Sequence, residues 1–457
     1  MDIIAKVQNS RLTPYEEKIL SESLINEELM GSKIIKTVSL PQFDAVEWTL
    51  ANNIKVIYRK ADYEKDNVIL SAYSFGGISV LDNDLVLPAN LLPAVLPMYG
   101  AGDYDNVTLT KMLAGKKASV SVALTETTES LSGSSTPKDF ETMMQLLYLR
   151  MARPRFDKVA HDAIIGRYTA FIGNMEKDPN KIKSDSISLI VTGYNPRTPI
   201  MTKETVGDIT LEIIQKIYTD RFSNADEFTF FIVGNIGMDT VLPLVEKYIG
   251  SLPSKGRVET WIDRKVEQPE GKIIKEISMP LTVPKSTVFI SFAEEMRYKP
   301  ENYLALEVIS GILDLVYTEK VREDEGGTYG VQVSLSAQKR PVQIGEGFVS
   351  FDCDPARAGD LKAIIYKELD NLMKNGPSQE NLDKTISNLL KTREENKMHN
   401  AYWLGILSRF YSYGINSNDP ENYEEILKSF TVKDIKKKAA KMFSKADVVD
   451  LIFKPLE

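Results

Sequence analysis

The sequence predicts an α+β chain of two homologous domains, each a mixed, largely antiparallel sheet covered by helices on one face. Three observations lead there. The stretch from Ile209 to Asp226 reads against the stretch from Phe430 to Asp447 at one fixed offset, without a gap. Thr210/Thr431, Ile214/Ile435, Lys216/Lys437, Phe222/Phe443, Ser223/Ser444, Ala225/Ala446 and Asp226/Asp447 coincide. In both copies a helical stretch passes through a short turn into an apolar strand, Phe228–Val233 in one and Val448–Phe453 in the other. That offset is far too long for a solenoid repeat and is the length of a whole domain. Finally, strands and helices interleave but hairpins also occur, which favours α+β over a parallel α/β sheet.

Residues 1–45 read as a polar, partly helical lead-in, with a helix start at Thr13-Pro14. The first domain is expected over 46–256. Alternating strands open it at Ile54–Arg59 and Val68–Phe75. A helical region follows from Pro88 to Met98, into which Pro93 and Pro97 fit poorly, and then a hairpin from Ala118 to Ser135. Helices are expected at Pro137–Ala152, Asp157–Phe171 and Leu211–Arg221, then the strand at Phe228 and a helix at Asp239–Ile249. The stretch from Leu252 to Val258, with Pro253 and Gly256, marks the boundary. The second domain, 257–457, repeats the order. Strands lie at Lys272–Ile277 and Ser286–Phe292, and a long buried helix at Pro300–Arg322, apolar almost all round. Strands at Gly330–Leu335 and Gly347–Phe351 precede helices at Asp360–Lys374, Gln379–Lys397 and on to Tyr413, Pro420–Lys428 and Val432–Phe443.

The composition excludes several function classes. With 457 residues and 43% hydrophobic content there is material for two cores. No apolar run approaches the ~20 residues of a bilayer span. No signal peptide is visible at the first residues. The net charge of −8 is spread without a basic stripe, which argues against nucleic acid. The Lys436–Lys438 run reads as a solvated helix face. One cysteine, Cys353, permits no intrachain disulfide and reads as a buried thiol in a core strand.

An open metal site needs several His, Glu, Asp or Cys ligands at set spacings. His161 and His399 are the only histidines, and neither has a ligand partner at helical spacing, so both read as structural. Ser130–Thr136 is no nucleophile elbow, and Phe75-Gly76-Gly77 lacks the Lys-Ser/Thr of a phosphate loop. Glu323-Asp324-Glu325 reads as a solvated turn rather than a cation site. One segment stands apart. The buried helix ends at Arg322, a Gly326-Gly327 turn follows, and Tyr329 begins a strand on the face of Val331, Val333 and Leu335. A guanidinium and a phenol brought together there can donate hydrogen bonds to a carbonyl or oxyanion. An Arg in a surface ion pair and a Tyr in the core is the plainer alternative.

Arg322, Glu323, Gly326 and Tyr329 form an R-E-x-x-G-x-x-Y pattern on a helix-turn-strand within a duplicated domain. With the stretches Tyr218–Ser223, Phe228–Asn235 and Val245–Pro253, this resembles the insulinase/pitrilysin family of zinc peptidases, the inverzincins, especially its large bacterial members. The resemblance covers about residue 45 to the end. It implies a partner half that carries zinc on H-x-x-E-H plus a distant Glu, the motif Glu serving as general base. Here the chain departs from the family. Asn90 and Ala94 stand at the two His positions and Pro93 at the base position; the second copy offers Ser310–Val316, equally without ligands. By resemblance, then, the chain is the C-terminal, non-catalytic half of a zinc metalloendopeptidase, inactive alone and binding no metal. It would form one wall of a substrate chamber, with Arg322 and Tyr329 holding the peptide and steadying the tetrahedral intermediate. Its partners would be an N-terminal zinc-bearing half or subunit and peptide substrates, and the compartment a bacterial periplasm. The lead-in resembles the linker between halves, which implies a fragment of a longer protein. The rival expectation is a degenerate peptidase fold kept as a structural or binding subunit.

Overall fold

The computed structural model describes residues 23–281, 284–323 and 325–456. The helix start expected at Thr13 lies outside them. The first half runs β1 Ile34–Leu40, β2 Ala45–Leu50, β3 Lys55–Lys60, β4 Val68–Phe75, α1 Val86–Val95, α2 Asn106–Met112, β5 Ala118–Leu124, β6 Thr128–Ser135, α3 Phe140–Ala152, α4 Lys158–Met175, α5 Pro179–Val191, α6 Lys203–Gly207, α7 Leu211–Phe222, β7 Thr229–Gly234 and α8 Met238–Tyr248. The second runs β8 Lys272–Met279, β9 Ser286–Glu295, α9 Pro300–Tyr317, a π turn Thr318–Glu323, β10 Gln332–Gln338, β11 Ile344–Cys353, α10 Ala358–Asn375, α11 Gln379–Asn396, α12 Asn400–Tyr413, α13 Glu424–Ser429, α14 Val432–Phe443 and β12 Asp447–Pro455.

The duplication is explicit in the sheets. The first has the order β1-β2-β3-β7-β4-β6-β5 and the second β10-β11-β9-β12-β8. From β3 onward the first matches the second read backwards. Each holds one parallel pair, β3–β7 and β12–β8, among antiparallel neighbours. The repeated helices α7 and α14 start on the repeated threonines: Thr210 accepts from Ile213 N at 3.3 Å, and Thr431 from Asp434 N at 3.2 Å within a full capping box.

β1 falls inside the lead-in expected from sequence and adds an edge strand against β2. It is mostly exposed, so its apolar alternation is weak. The expected helix through Gln379–Tyr413 is two helices, interrupted at 397–399, where Trp403 Nε1 bonds Lys397 O at 2.9 Å. α2, α5 and α6 are additional to the sequence reading.

α5 explains how the halves are joined. Each sheet packs its own helices on one face, around two separate cores. On the opposite face each half lends the other a helix. Ile182, Ile187 and Ile190 of α5 pack on Val449, Leu451 and Phe453 of β12. Leu407, Phe410 and Tyr411 of α12, the equivalent helix in the second copy, pack on Ile57, Phe231 and Val233 of the first sheet. Phe410 meets Phe43 at 5.0 Å between ring centres, and the Arg59 guanidinium lies 3.8 Å over the Trp403 ring. The segment between α8 and β8 has no regular structure but is tied to both halves. Ile262 N bonds Ser79 Oγ at 3.0 Å, and Gln268 Nε2 bonds Asp447 O at 2.6 Å.

Candidate functional site

The end of α9 is built for exposure. Val321 is buried, which fixes the turn and leaves the neighbouring Arg322 on the surface. The helix closes with Gly326 N bonding Arg322 O at 3.1 Å and Gly327 N bonding Val321 O at 3.3 Å. Gly326 sits at φ +58, and a Cβ on Gly327 would fall 2.7 Å from both Leu361 methyls, so this turn requires both glycines. A π turn at a helix end re-aims the side chains that follow it. Arg357 pins the loop from outside, donating to Glu325 O at 2.9 Å and to its carboxylate at 2.6 Å.

Tyr329 differs from the sequence expectation. β10 begins at Gln332, and Tyr329 is 90% exposed rather than facing the core with Val331 and Leu335. The cause is local: Thr328 Oγ1 donates to Gly330 O at 3.0 Å and accepts from Gly330 N at 3.2 Å, a tight turn that carries residue 329 off the sheet. The Lys285 ammonium lies 5.3 Å from its ring centre. Among the described residues, no hydrogen bond or ion pair is formed by the Arg322 side chain, and none joins it to Tyr329. Both donors therefore face solvent unengaged.

The positions that the resemblance sets against the metal motif lie on α1. Asn90 and Pro93 are exposed, and Ala94 lines a cavity of about 430 Å³ with Met98, Ile164, Arg167, Tyr168 and Phe171. That lining offers no carboxylate, imidazole or thiolate, so these residues do not fit a zinc ion. Among the described residues no group of three or more His, Cys, Asp or Glu converges as a metal cluster.

The other candidates have structural tasks. His161 is buried; its Nε2 donates to Ile209 O at 3.0 Å, which leaves Nδ1 to accept from Tyr99 Oη at 2.7 Å. His399 starts α12 and meets Glu64 Oε1 of the other half at 2.9 Å. Cys353 is buried in β11, and burial, with Asp352 and Asp354 beside it, pushes its thiol up to about 11. The Gly76-Gly77 turn packs over a buried cluster in which Glu129 accepts from Ser74 Oγ and from Gly77 N at 2.7 Å, while Arg221 meets Glu259 at 2.5 Å.

With that geometry in place, residues 208–389 match the family described as the peptidase M16 inactive domain. Over that region the chain is similar to an M16 inactive domain. It is 22% identical over 442 residues to the zinc protease PQQL-like protein of Arabidopsis thaliana, a match covering 92% of this chain and 43% of that relative. The fold superposes on the periplasmic protease PqqL from Escherichia coli with a TM-score of 0.83 at 17% identity, over all of this chain and 50% of that one. It superposes on a peptidase M16 inactive domain from Pseudomonas fluorescens with a TM-score of 0.70 at 18% identity, over 91% and 99% of the two chains. The chain thus spans less than half the length of the curated relative. No described helix is long and apolar enough to cross a membrane.

Sequence reasoning missed one feature near this site. Beside β10 the outer face of the second sheet holds a cavity of about 370 Å³, into which Glu346 and Phe348 project. The only local signal was an acid amid small and apolar residues in Ile344–Phe348.

Proposed function

We propose that this chain is the C-terminal, non-catalytic half of a zinc endopeptidase. It forms one wall of the substrate chamber, and the metal is held by another half, on the same polypeptide or a separate subunit. Its two domains divide at about residues 45 and 256, and it works in a bacterial periplasm, as its Escherichia coli relative does. Arg322 and Tyr329 are the groups that meet the substrate: guanidinium and phenol donate hydrogen bonds to a peptide carbonyl and to the oxyanion that develops from it.

The observation that carries this reading is the state of Tyr329, a large aromatic side chain 90% exposed, on the same turn as Arg322, whose side chain forms no hydrogen bond or ion pair among the described residues, the turn being built from two glycines and a pinning arginine. A scaffold has no use for such a pair. The test is peptide cleavage by the chain combined with its zinc-bearing half, comparing wild type with Arg322→Ala and Tyr329→Phe. Removal of one oxyanion donor costs about 10²-fold or more in turnover. Unchanged cleavage by variants that still assemble would leave the chain a structural or binding subunit.

A further inference from the structure

The outer face of each sheet is only partly covered. In the second half, α5 covers β12 and β8, and the segment before β8 covers the middle through Ser291 Oγ, which bonds Gln268 Oε1 at 2.7 Å. The far side, β10 and β11, stays open. Ser334 lies opposite Phe348, Ser336 opposite Glu346 and Gln338 opposite Ile344, so these six side chains share that face and line the 370 Å³ cavity.

β10 is also an edge strand, and among the described residues no strand pairs with its free side; Val333 O accepts from Ser310 Oγ of α9 at 3.4 Å. The sheet edges differ in one respect. β1 carries Lys36, and β8 carries Lys272, Lys275 and Glu276, the charges that keep exposed edges from pairing. β10 reads Gln-Val-Ser-Leu-Ser-Ala-Gln and has no charge and no proline. β5, its counterpart in the first half, is likewise uncharged, but its outer neighbours are Ser119, Ser121, Ala123, Ser130, Ser132 and Ser134, with no acid and no aromatic side chain. The second copy joins an open edge to a shaped cavity.

Glu346 gives that cavity a preference. Gln338 Nε2 donates to it, and no lysine or arginine among the described residues forms an ion pair with it. Burial pushes its carboxyl above the ordinary range, as expected of an acid lacking a cation.

We propose that the free edge of β10 and the cavity beside it form a subsite for an extended peptide segment, which pairs with β10 and places a basic side chain against Glu346. Only an extended backbone supplies the alternating donors and acceptors that an open edge lacks, and its alternate side chains enter the cavity at strand spacing. The Arg322–Tyr329 turn leads directly into this strand, so the subsite deepens the reading of the chain as a substrate-holding half and rests on it.

The test is amide hydrogen exchange of the full chain with a short blocked peptide of alternating valine and lysine. Two control peptides accompany it: one N-methylated at every second residue, the other with norleucine for lysine. The expected result is at least tenfold slower exchange at alternate amides between Gln332 and Gln338 with the first peptide, none with the methylated one, and weaker binding of the norleucine peptide. Glu346→Gln, which keeps an acceptor for Gln338, should erase the preference for lysine and leave the strand pairing. No slowing, equal slowing with the methylated peptide, slowing at β5 instead, or equal binding of lysine and norleucine peptides by the wild type would overturn the proposal. Because the readout is binding without cleavage, its failure leaves the roles of Arg322 and Tyr329 standing, and their failure in cleavage leaves this result standing.

Discussion

Replacing Leu407 by alanine tests the exchange of helices between the halves. Leu407 is fully buried on α12, yet the side chains clustered with it belong to the first half: Ile57, Phe231 and Val233 of its sheet, and Phe43 of the turn between β1 and β2. The substitution removes a branched three-carbon group, worth about 2.4 kcal/mol at ~0.8 kcal/mol per buried carbon. The wall on one side is a hydrogen-bonded sheet that cannot collapse into the gap, so a cavity term adds to this and the loss should reach about 3 kcal/mol. The assay is urea unfolding followed by fluorescence in two single-tryptophan versions. Trp403 reports the seam, where it stacks on Tyr63 at 6.4 Å, and Trp48 reports the first core. Both probes should move to lower urea together. A loss below about 1 kcal/mol, or a shift seen by Trp403 alone, would show that α12 is a detachable arm rather than part of the first half's fold.

Ile190→Ala on α5 should cost about 2–5 kcal/mol by the same reasoning applied to the second sheet, measured as the shift in its unfolding midpoint. Thr431→Ala should cost about 1–2 kcal/mol and Thr210→Ala less, because only Thr431 has both arms of the capping box; thermal melts of the two variants would rank them. Tyr99→Phe leaves His161 Nδ1 buried without a donor and should cost about 1–3 kcal/mol in urea unfolding. For Glu64, burial opposes ionisation, but hydrogen bonds from His399 and Asn67 and the charge of His399 outweigh it and hold the carboxyl below its ordinary value. A folded value below the unfolded one means stability that is present above the ordinary carboxylate range and lost as pH falls through the lowered value. Glu64→Gln should therefore melt below wild type at neutral pH and converge with it as pH falls below the ordinary carboxylate range.

Much of the fold was legible because the repeat is local. A capped amphipathic helix followed by an apolar strand keeps its pattern in both copies, and Thr210 and Thr431 mark its start in each. α5 was not legible because its apolar residues face the other half's sheet and lie among Lys181, Lys183, Ser184, Asp185 and Ser186, so no strong local stripe forms. β1 escaped for the related reason that an exposed edge strand carries little hydrophobic contrast. At the site, the residue types and the glycine turn were readable, but the direction of Tyr329 was not. Strand parity put it in the core, while the bonds of Thr328 to Gly330 take it out of the strand. That Asn90, Pro93 and Ala94 carry no zinc-ligating side chain was plain from the sequence. That a cavity with Met98 and Phe171 lies beside Ala94 depends on residues brought together from α1, the turn after it and α4.

Cleavage of a quenched fluorescent peptide, with zinc supplied, is the most direct measurement of the central claim. It should be run with this chain alone and after mixing with the matching zinc-bearing half. The account predicts silence alone and cleavage on mixing. Cleavage by this chain alone, surviving controls for contaminants, would contradict the assignment of the metal to another half, and silence from halves shown to associate would contradict the assignment of a substrate-holding role.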